Sequence, residues 1–285
     1  MQKTLAKEVV CRGVGVHSGK DTTITIKPAP VNNGIVFRRI DLPGNYDIQA
    51  LFKLVVDTSL ATVIGTNGAI VSTIEHLMAS FAGFGIDNAL VEINDYEVPV
   101  MDGSAREFAS SFKKVGIIEQ ESPKQFFVVK EPIKLLEDDK FVVAYPENSR
   151  KITCLVDFDH PLIGAQEFVF DPDKDDFEQE ISSARTFGFI RDIEYLKKFG
   201  LGKGGSLENA IIIDNDKILN KDGLRCEDEF VKHKLLDSLG DFSLLGMPIM
   251  GHIKTYKSGH ALNHLFVKKF LGESDKWETC PVKKQ

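Results

Sequence analysis

The sequence predicts an α+β protein built from two units. Strand-like runs are followed by helix-like runs, and this order occurs twice, before and after a polar stretch at residues 119–124. The 285 residues suffice for one large domain or two ordinary ones. A composition of 42% hydrophobic and 27% charged residues is that of a soluble globular chain.

In the first half, residues 22–27 alternate and are β-branched, and 34–40 resumes a strand after a turn at Asn32-Asn33-Gly34. Between earlier strands lies Gly13-Val14-Gly15-Val16-His17-Ser18-Gly19-Lys20. Its glycines suit a tight turn or a close backbone approach, and His17 alone has an ordinary structural reading. Residues 71–83 predict a helix with Gly83 near its end. Ser72 to Glu75 there matches a capping box, which would occupy Glu75 with backbone donors. The sharper reading makes His76 a metal ligand with Glu75 poised over a metal-bound water. A strand at 88–93, a turn-rich piece at 98–104 and a short amphipathic helix at 105–112 complete this half. The unit boundary is placed near residue 123, in the polar linker.

The second half has strands at 126–129, 141–145 and 152–156. Residues 171–180 hold six acidic side chains in ten and read as an acidic surface segment. Residues 182–189 lead into a helix at 193–198. The glycine-rich 200–205 reads as a flexible turn, because it lacks the G-K-[ST] ending of a phosphate loop. A strand follows at 210–213. Residues 228–242 then predict an amphipathic helix, with Val231, Leu235, Leu239 and Phe242 as its apolar stripe. His233, Asp237 and Asp241 recur every four residues on another face. An imidazole one turn before a carboxylate can grip a metal ion from a rigid backbone, but a solvated polar face has the same spacing. A strand at 251–256, a turn at 257–260 and a helix at 261–271 follow. The tail from Gly272 is expected to be loosely ordered. No internal repeat is strong enough to read.

Several function classes are disfavoured. A formal charge of −7 argues against a nucleic-acid binder. Cys11, Cys154, Cys226 and Cys280 are scattered, without a CxxC pair, which argues against a thiolate zinc site and a disulfide framework and fits a reducing cytoplasm. No apolar run approaches the roughly 18 residues of a membrane span, and residues 1–10 lack the apolar core of a signal peptide.

Six motifs, in order, resemble those of the UDP-3-O-acyl-N-acetylglucosamine deacetylases of lipid A biosynthesis. They are Gly13-Val14-Gly15-Val16-His17-Ser18-Gly19, Ser72-Thr73-Ile74-Glu75-His76-Leu77, Met101-Asp102-Gly103-Ser104, Ala184-Arg185-Thr186-Phe187-Gly188-Phe189, the run from Asp228 to Asp237, and Lys257-Ser258-Gly259-His260. The resemblance spans residues 3–271. It implies two similar domains, 1–123 and 124–271, in a β-α-α-β sandwich with the site between them, plus a tail at 272–285. Each domain carries a small insert. The second, near 189–222, would line a passage for an acyl chain and makes Ile190, Ile193 and Leu207 candidate contacts.

The resemblance also implies residue roles. His76, His233 and Asp237 become metal ligands with an open position, a set that suits zinc and also ferrous iron. Glu75 becomes the general base acting on metal-bound water. Thr186 and His260 would stabilise the oxyanion, with His260 also protonating the leaving amine and Asp241 orienting it. Lys234 would face the diphosphate or sugar. Phe158 would stack on uracil beside Asp157, Phe187 would contact substrate, and Lys140 and Lys257 are further basic contacts for the nucleotide. His17 would line the site. The implied protein is a cytoplasmic monomer of a Gram-negative bacterium that deacetylates a UDP-linked acylated N-acetylglucosamine at the committed step of lipid A biosynthesis, with no nucleic-acid partner and no transmembrane segment. Three rivals share parts of the pattern. A non-haem iron oxygenase has the same ligand set, a metalloprotease would need an H-E-x-x-H or H-x-x-E-H run that is missing, and a non-enzymatic sugar-nucleotide or lipid binder would leave Glu75, Thr186 and His260 unexplained.

Overall fold

The computed structural model describes residues 1–44 and 46–281. Two five-stranded sheets dominate it, and they share one topology. In the first the spatial order is Val9–Val14, Asp21–Pro28, Ala89–Ile93, Ile35–Arg39, Tyr46–Gln49. In the second it is Ile133–Glu137, Lys140–Tyr145, His252–Tyr256, Ile152–Phe158, Gly164–Phe170. Every neighbouring pair is antiparallel except the returning strand, which runs parallel to the third strand in both sheets. What repeats is an order of strands and an alternation of apolar positions. Many dissimilar sequences satisfy that pattern, so the duplication is invisible in the residues themselves.

Among the described residues six α-helices follow in chain order: α1 (Glu75–Phe84), α2 (Arg106–Val115), α3 (Phe177–Glu180), α4 (Ile190–Lys198), α5 (Glu229–Ser243) and α6 (His260–Gly272). Leu77, Met78 and Phe81 of α1 and Phe108 and Phe112 of α2 pack with Ile24, Ile26 and Phe37 of the first sheet. Val231 and Leu235 of α5 and Phe266 and Phe270 of α6 pack with Val142, Ala144 and Cys154 of the second. The helical layers meet in the middle, giving a β-α-α-β sandwich. The contact between α1 and α5 is close enough that a Cβ built on Gly240 would lie 2.2 Å from the Glu75 carbonyl oxygen.

Each half carries a small three-stranded sheet. The first is Val55–Asp57, Val63–Thr66 and Ala69–Val71, and the second is Phe187–Phe189, Ile211–Asp214 and Lys217–Ile218, with α4 between its first two strands. No helix is long and apolar enough to cross a membrane among the described residues.

Several local expectations need correction. The capping box does not form. Ile74, not Ser72, is the N-cap of α1 and makes no side-chain cap bond. Ser72 instead extends the small sheet, its N–H donating to Tyr96 O and its carbonyl accepting from Val98 N. Gly83 does lie near the end of this helix, and Gly85 closes the terminus with a left-handed φ of 67°. The glycine-rich turn is docked: Lys203 and Gly204 donate their N–H groups to His17 O (3.3 Å) and Val16 O (3.1 Å). The acidic segment is anchored rather than wholly superficial, since Asp171 and Phe177 are buried. The tail is ordered through 281. Trp277–Pro281 pairs antiparallel with Gln125–Val129, and the Trp277 ring packs on Phe127 (4.7 Å) and Phe270 (5.9 Å). Apolar burial of that indole holds a strand too short for alternation to reveal. Residues 282–285 of the tail lie outside the described residues.

Because α1 and α5 touch through Gly240, Gly240→Ala should lower unfolding stability by about 1–3 kcal/mol, the usual cost of overpacking. Urea unfolding measures it, and an unchanged midpoint would mean that the two helices can part at no cost.

Candidate active site

α1 and α5 deliver their polar side chains to one point. His76, His233 and Asp237 are all buried, and one ligand atom from each lies within 4.8 Å of the others. The solvated-face reading of α5 therefore fails, because His233, Asp237 and Asp241 are only 1–3% exposed. The Nε2 atoms of His233 and His76 lie 3.4 and 3.6 Å from Asp237 Oδ1. His233 Nδ1 donates to the Ala184 carbonyl at 3.1 Å, which turns its Nε2 toward the triad.

The side chains suit a divalent cation. Asp237 Oδ1 is buried without a hydrogen-bond partner, while Oδ2 accepts from Lys234 Nζ at 2.9 Å. Burial pushes the His233 imidazole down to about 3, against the pull of Asp237, so it stays neutral as a ligand must. Burial would raise the Asp237 carboxyl, but its neighbours, the bonded Lys234 ammonium among them, hold the group well below the usual range. Glu75, Asp237 and Asp241 bring three buried carboxyls together against Lys234 and His260. Two imidazoles and one carboxylate with an orphaned oxygen have the donor chemistry that a metal ion takes.

An acid–base pair flanks the triad. Glu75 Oε2 accepts from the Thr62 N–H at 3.1 Å, and Oε1 lies 3.8 Å from His260 Nε2. Burial raises the Glu75 carboxyl, with His260 and His76 opposing. His260 is the first residue of α6, one position earlier than the predicted helix start. Its Nδ1 donates to Asp241 Oδ2 at 2.9 Å. Burial would depress this imidazole, but Asp241 and Glu75 outweigh it and hold it at about 10, so it is an imidazolium at neutral pH.

Two residues of this network escape sequence reasoning. Thr62 donates its N–H to Glu75 and its hydroxyl to Asp241 Oδ1 at 2.6 Å, tying base to acid. Asn263 donates to Asp241 Oδ2 at 2.8 Å. Its place one turn after His260 was the only local sign, and Thr62 has none.

The triad opens onto a cleft of ≈ 580 Å³ between the halves. Thr186, Phe187, Lys234, Lys140, Lys257 and His17 line it beside the triad, Glu75 and His260. Thr186 is no helix cap, since it immediately precedes the strand Phe187–Phe189. Lys234 Nζ stands 5.4 Å from the centre of the Phe187 ring. Lys257 bonds Asp139 (3.0 Å) and Asp157 (3.2 Å) at the rim. Asp157 and Phe158 are absent from the cleft wall. Asp157 is tied to Tyr256 and Lys257, and Phe158 meets Phe187 edge-on at 5.7 Å. The cleft lining also includes the apolar side chains of Ile193, Leu196, Ile212 and Val16. Ile190 and Leu207 stand outside it, 37% and 48% exposed. A smaller apolar cavity of ≈ 180 Å³ among Met78, Phe81, Leu239 and Phe242 holds none of the predicted site residues.

Residues 2–272 match the family model described as LpxC: UDP-3-O-acyl N-acetylglycosamine deacetylase. The UDP-3-O-acyl-N-acetylglucosamine deacetylase of Myxococcus xanthus (strain DK1622) is 50% identical over 284 residues, covering 100% of this chain and 90% of the relative. Those of Syntrophus aciditrophicus (strain SB) and Pseudomonas entomophila (strain L48) are each 46% identical, covering 98% and 97% of this chain and 89% and 92% of the relatives. With a family model over almost the whole chain and relatives this similar along their lengths, the chain belongs to the UDP-3-O-acyl-N-acetylglucosamine deacetylase family.

Proposed function

We propose that this protein hydrolyses the N-acetyl group of UDP-3-O-acyl-N-acetylglucosamine, releasing acetate and the free amine at the committed step of lipid A biosynthesis, as a cytoplasmic monomer. The observation that carries the reading is a carboxyl raised by burial facing an imidazolium across a His76–His233–Asp237 donor set. Those three residues would hold a divalent ion, zinc or ferrous iron, whose contribution is Lewis acidity at the amide carbonyl and water of lowered pKa.

The chain's own residues do the rest. Glu75, anchored through Oε2 by Thr62, takes the proton of the attacking water at Oε1. The carbonyl oxygen becomes an oxyanion, which the Thr186 hydroxyl and the His260 imidazolium stabilise in this reading. His260 then protonates the departing amine, while Asp241 fixes its Nδ1–H and favours the charged form. Lys234 offers a point charge to the sugar or diphosphate. Lys140 and Lys257 suit the nucleotide, with Asp157 acting through Lys257 and Phe158 through Phe187 unless substrate reorders them. The apolar lining residues Ile193, Leu196 and Ile212 suit an acyl chain, whereas the exposure of Ile190 and Leu207 gives them a lesser share.

Acetate release from this substrate should be absent in metal-free protein and return with added zinc or ferrous iron. His233→Ala and Asp237→Ala should each lose bound metal by elemental analysis, and full metal content in both would sink the ligand assignment. Glu75→Ala should keep the metal while kcat drops by about 10²–10⁴-fold. Loss of metal instead would make Glu75 a ligand.

The kcat/KM profile should be bell-shaped. Activity rises with pH as Glu75 loses its proton above the ordinary carboxylate range, and falls as His260 loses its own near or below 10, a bound cation lowering that limb without changing its sign. Asp241→Asn removes the main charge that raises His260, so the falling limb should move to lower pH. An unmoved limb in that variant would detach it from His260.

A further inference from the structure

The motif Met101-Asp102-Gly103-Ser104 takes no part in the chemistry above, yet it grips the segment that carries Thr186. The Thr186 N–H donates to Gly103 O at 2.7 Å, and the Ala105 N–H donates to Ser182 O at 2.9 Å. Arg225 closes the grip just ahead of α5. Its Nη2 donates to Asp102 Oδ2 at 2.8 Å, and its Nη1 donates to Ser183 O at 2.8 Å and to Ser104 Oγ at 3.3 Å. Asp102 Oδ1 accepts the Ser104 N–H (3.1 Å) and hydroxyl (2.6 Å), which folds the turn on itself. Met101 and Gly103 have φ of 54° and 85°. A Cβ at Gly103 would lie 2.0 Å from Asn209 O, so the turn is wedged against the entry to the strand Ile211–Asp214. That strand donates its Ile211 N–H to Thr186 O at 2.8 Å.

The other side of the same segment is held by α5. Buried Glu229 accepts from the Arg185 N–H (3.1 Å), Arg185 Nε (2.8 Å) and the Arg225 N–H (2.6 Å). Ala184 O accepts from the metal-site His233 at 3.1 Å. Ser182 O and the Thr186 N–H are thus held by the first half of the chain, and Ala184, Arg185 and the Thr186 carbonyl by the second.

We propose that Asp102, Gly103 and Arg225 form a latch between the halves that positions the Thr186 hydroxyl in the site. They touch no reacting atom, so they are positioning residues. The inference rests on the oxyanion reading of Thr186. Its logic is that a hydroxyl aimed at a developing charge is effective only within a few tenths of an ångström of the right place, and the Thr186 backbone is set from across the cleft. Neither partner can do this alone: the turn supplies the acceptor, and Arg225 holds the turn to the segment by a charge-assisted pair.

The test uses the metal-loaded full chain and the variant Asp102→Asn, which keeps the side chain's shape where Gly103→Ala would force the backbone apart. Asp102→Asn should lower kcat about tenfold with KM and metal content unchanged. In a Thr186→Val background it should cost nothing further, the non-additivity expected of residues acting through one group. Amide exchange of the peptide spanning 182–187 should quicken about tenfold while peptides of α1 stay protected. An equal fold-loss of kcat in both backgrounds, or unaltered exchange at 182–187, overturns the latch. Full kcat in Thr186→Val alone overturns the oxyanion reading instead, and the exchange result then decides the latch by itself.

Discussion

Gly240 leaves room for the Glu75 backbone and for nothing more, so α5 can cross α1 at a distance that any side chain would forbid. The site depends on that crossing. His233 and Asp237 lie one turn apart on α5, and His76 and Glu75 open α1. Each helix alone carries an incomplete set, His233 and Asp237 on one and Glu75 and His76 on the other. Close backbone approach makes the set complete, and it does so in the dry middle of a four-layer sandwich where electrostatic terms are large.

Burial then divides the ionisable groups into opposite states. It holds His233 neutral and lifts the Glu75 carboxyl. His260 escapes the same penalty because Asp241 sits on its Nδ1, and Asp241 is itself satisfied by Thr62 and Asn263. A carboxyl that is hard to ionise therefore faces an imidazolium that is hard to deprotonate. Thr62 links the two sides of this arrangement, bonding Glu75 with its N–H and Asp241 with its hydroxyl.

Backbone strain gathers at the same place. Thr73, Met101 and Lys257 have φ of 59°, 54° and 51°, and each lies within four residues of a site motif's working residue or of the latch. For a β-branched threonine this conformation is a true outlier, with a cost of about 1–3 kcal/mol that packing must offset. Glu97 does so for Thr73. Wholly buried, it accepts the Thr73 hydroxyl (3.1 Å) and the N–H groups of His17 (2.9 Å) and Ser18 (2.7 Å). The loop it fixes is the one on which the glycine-rich turn of the second insert docks. The cleft walls are thus set by polar contacts running between the halves, as well as by the helix crossing.

Much of this was legible in the residues. The i,i+4 spacing of His233, Asp237 and Asp241, the adjacency of Glu75 and His76, and the order of six short motifs are local facts, and they singled out residues that the fold brings together. The apolar stripe of α5 and the alternation of residues 22–27 likewise specify a helix and a strand from chain geometry alone. What chain geometry cannot specify is which side a polar group faces. Whether Ser72 caps a helix or extends a sheet, whether Phe158 reaches the cleft or only Phe187, and whether Trp277 dangles or completes a strand each turned on partners far away in the chain. Thr62, Asn263 and Arg225 acquire meaning only beside Asp241 and Asp102, residues distant in sequence. The sequence by itself determined the kinds of groups and their local periodicity. The tertiary structure decided their burial, pairing and protonation, because those depend on distances that exist only after the two sheets have closed their helices against each other.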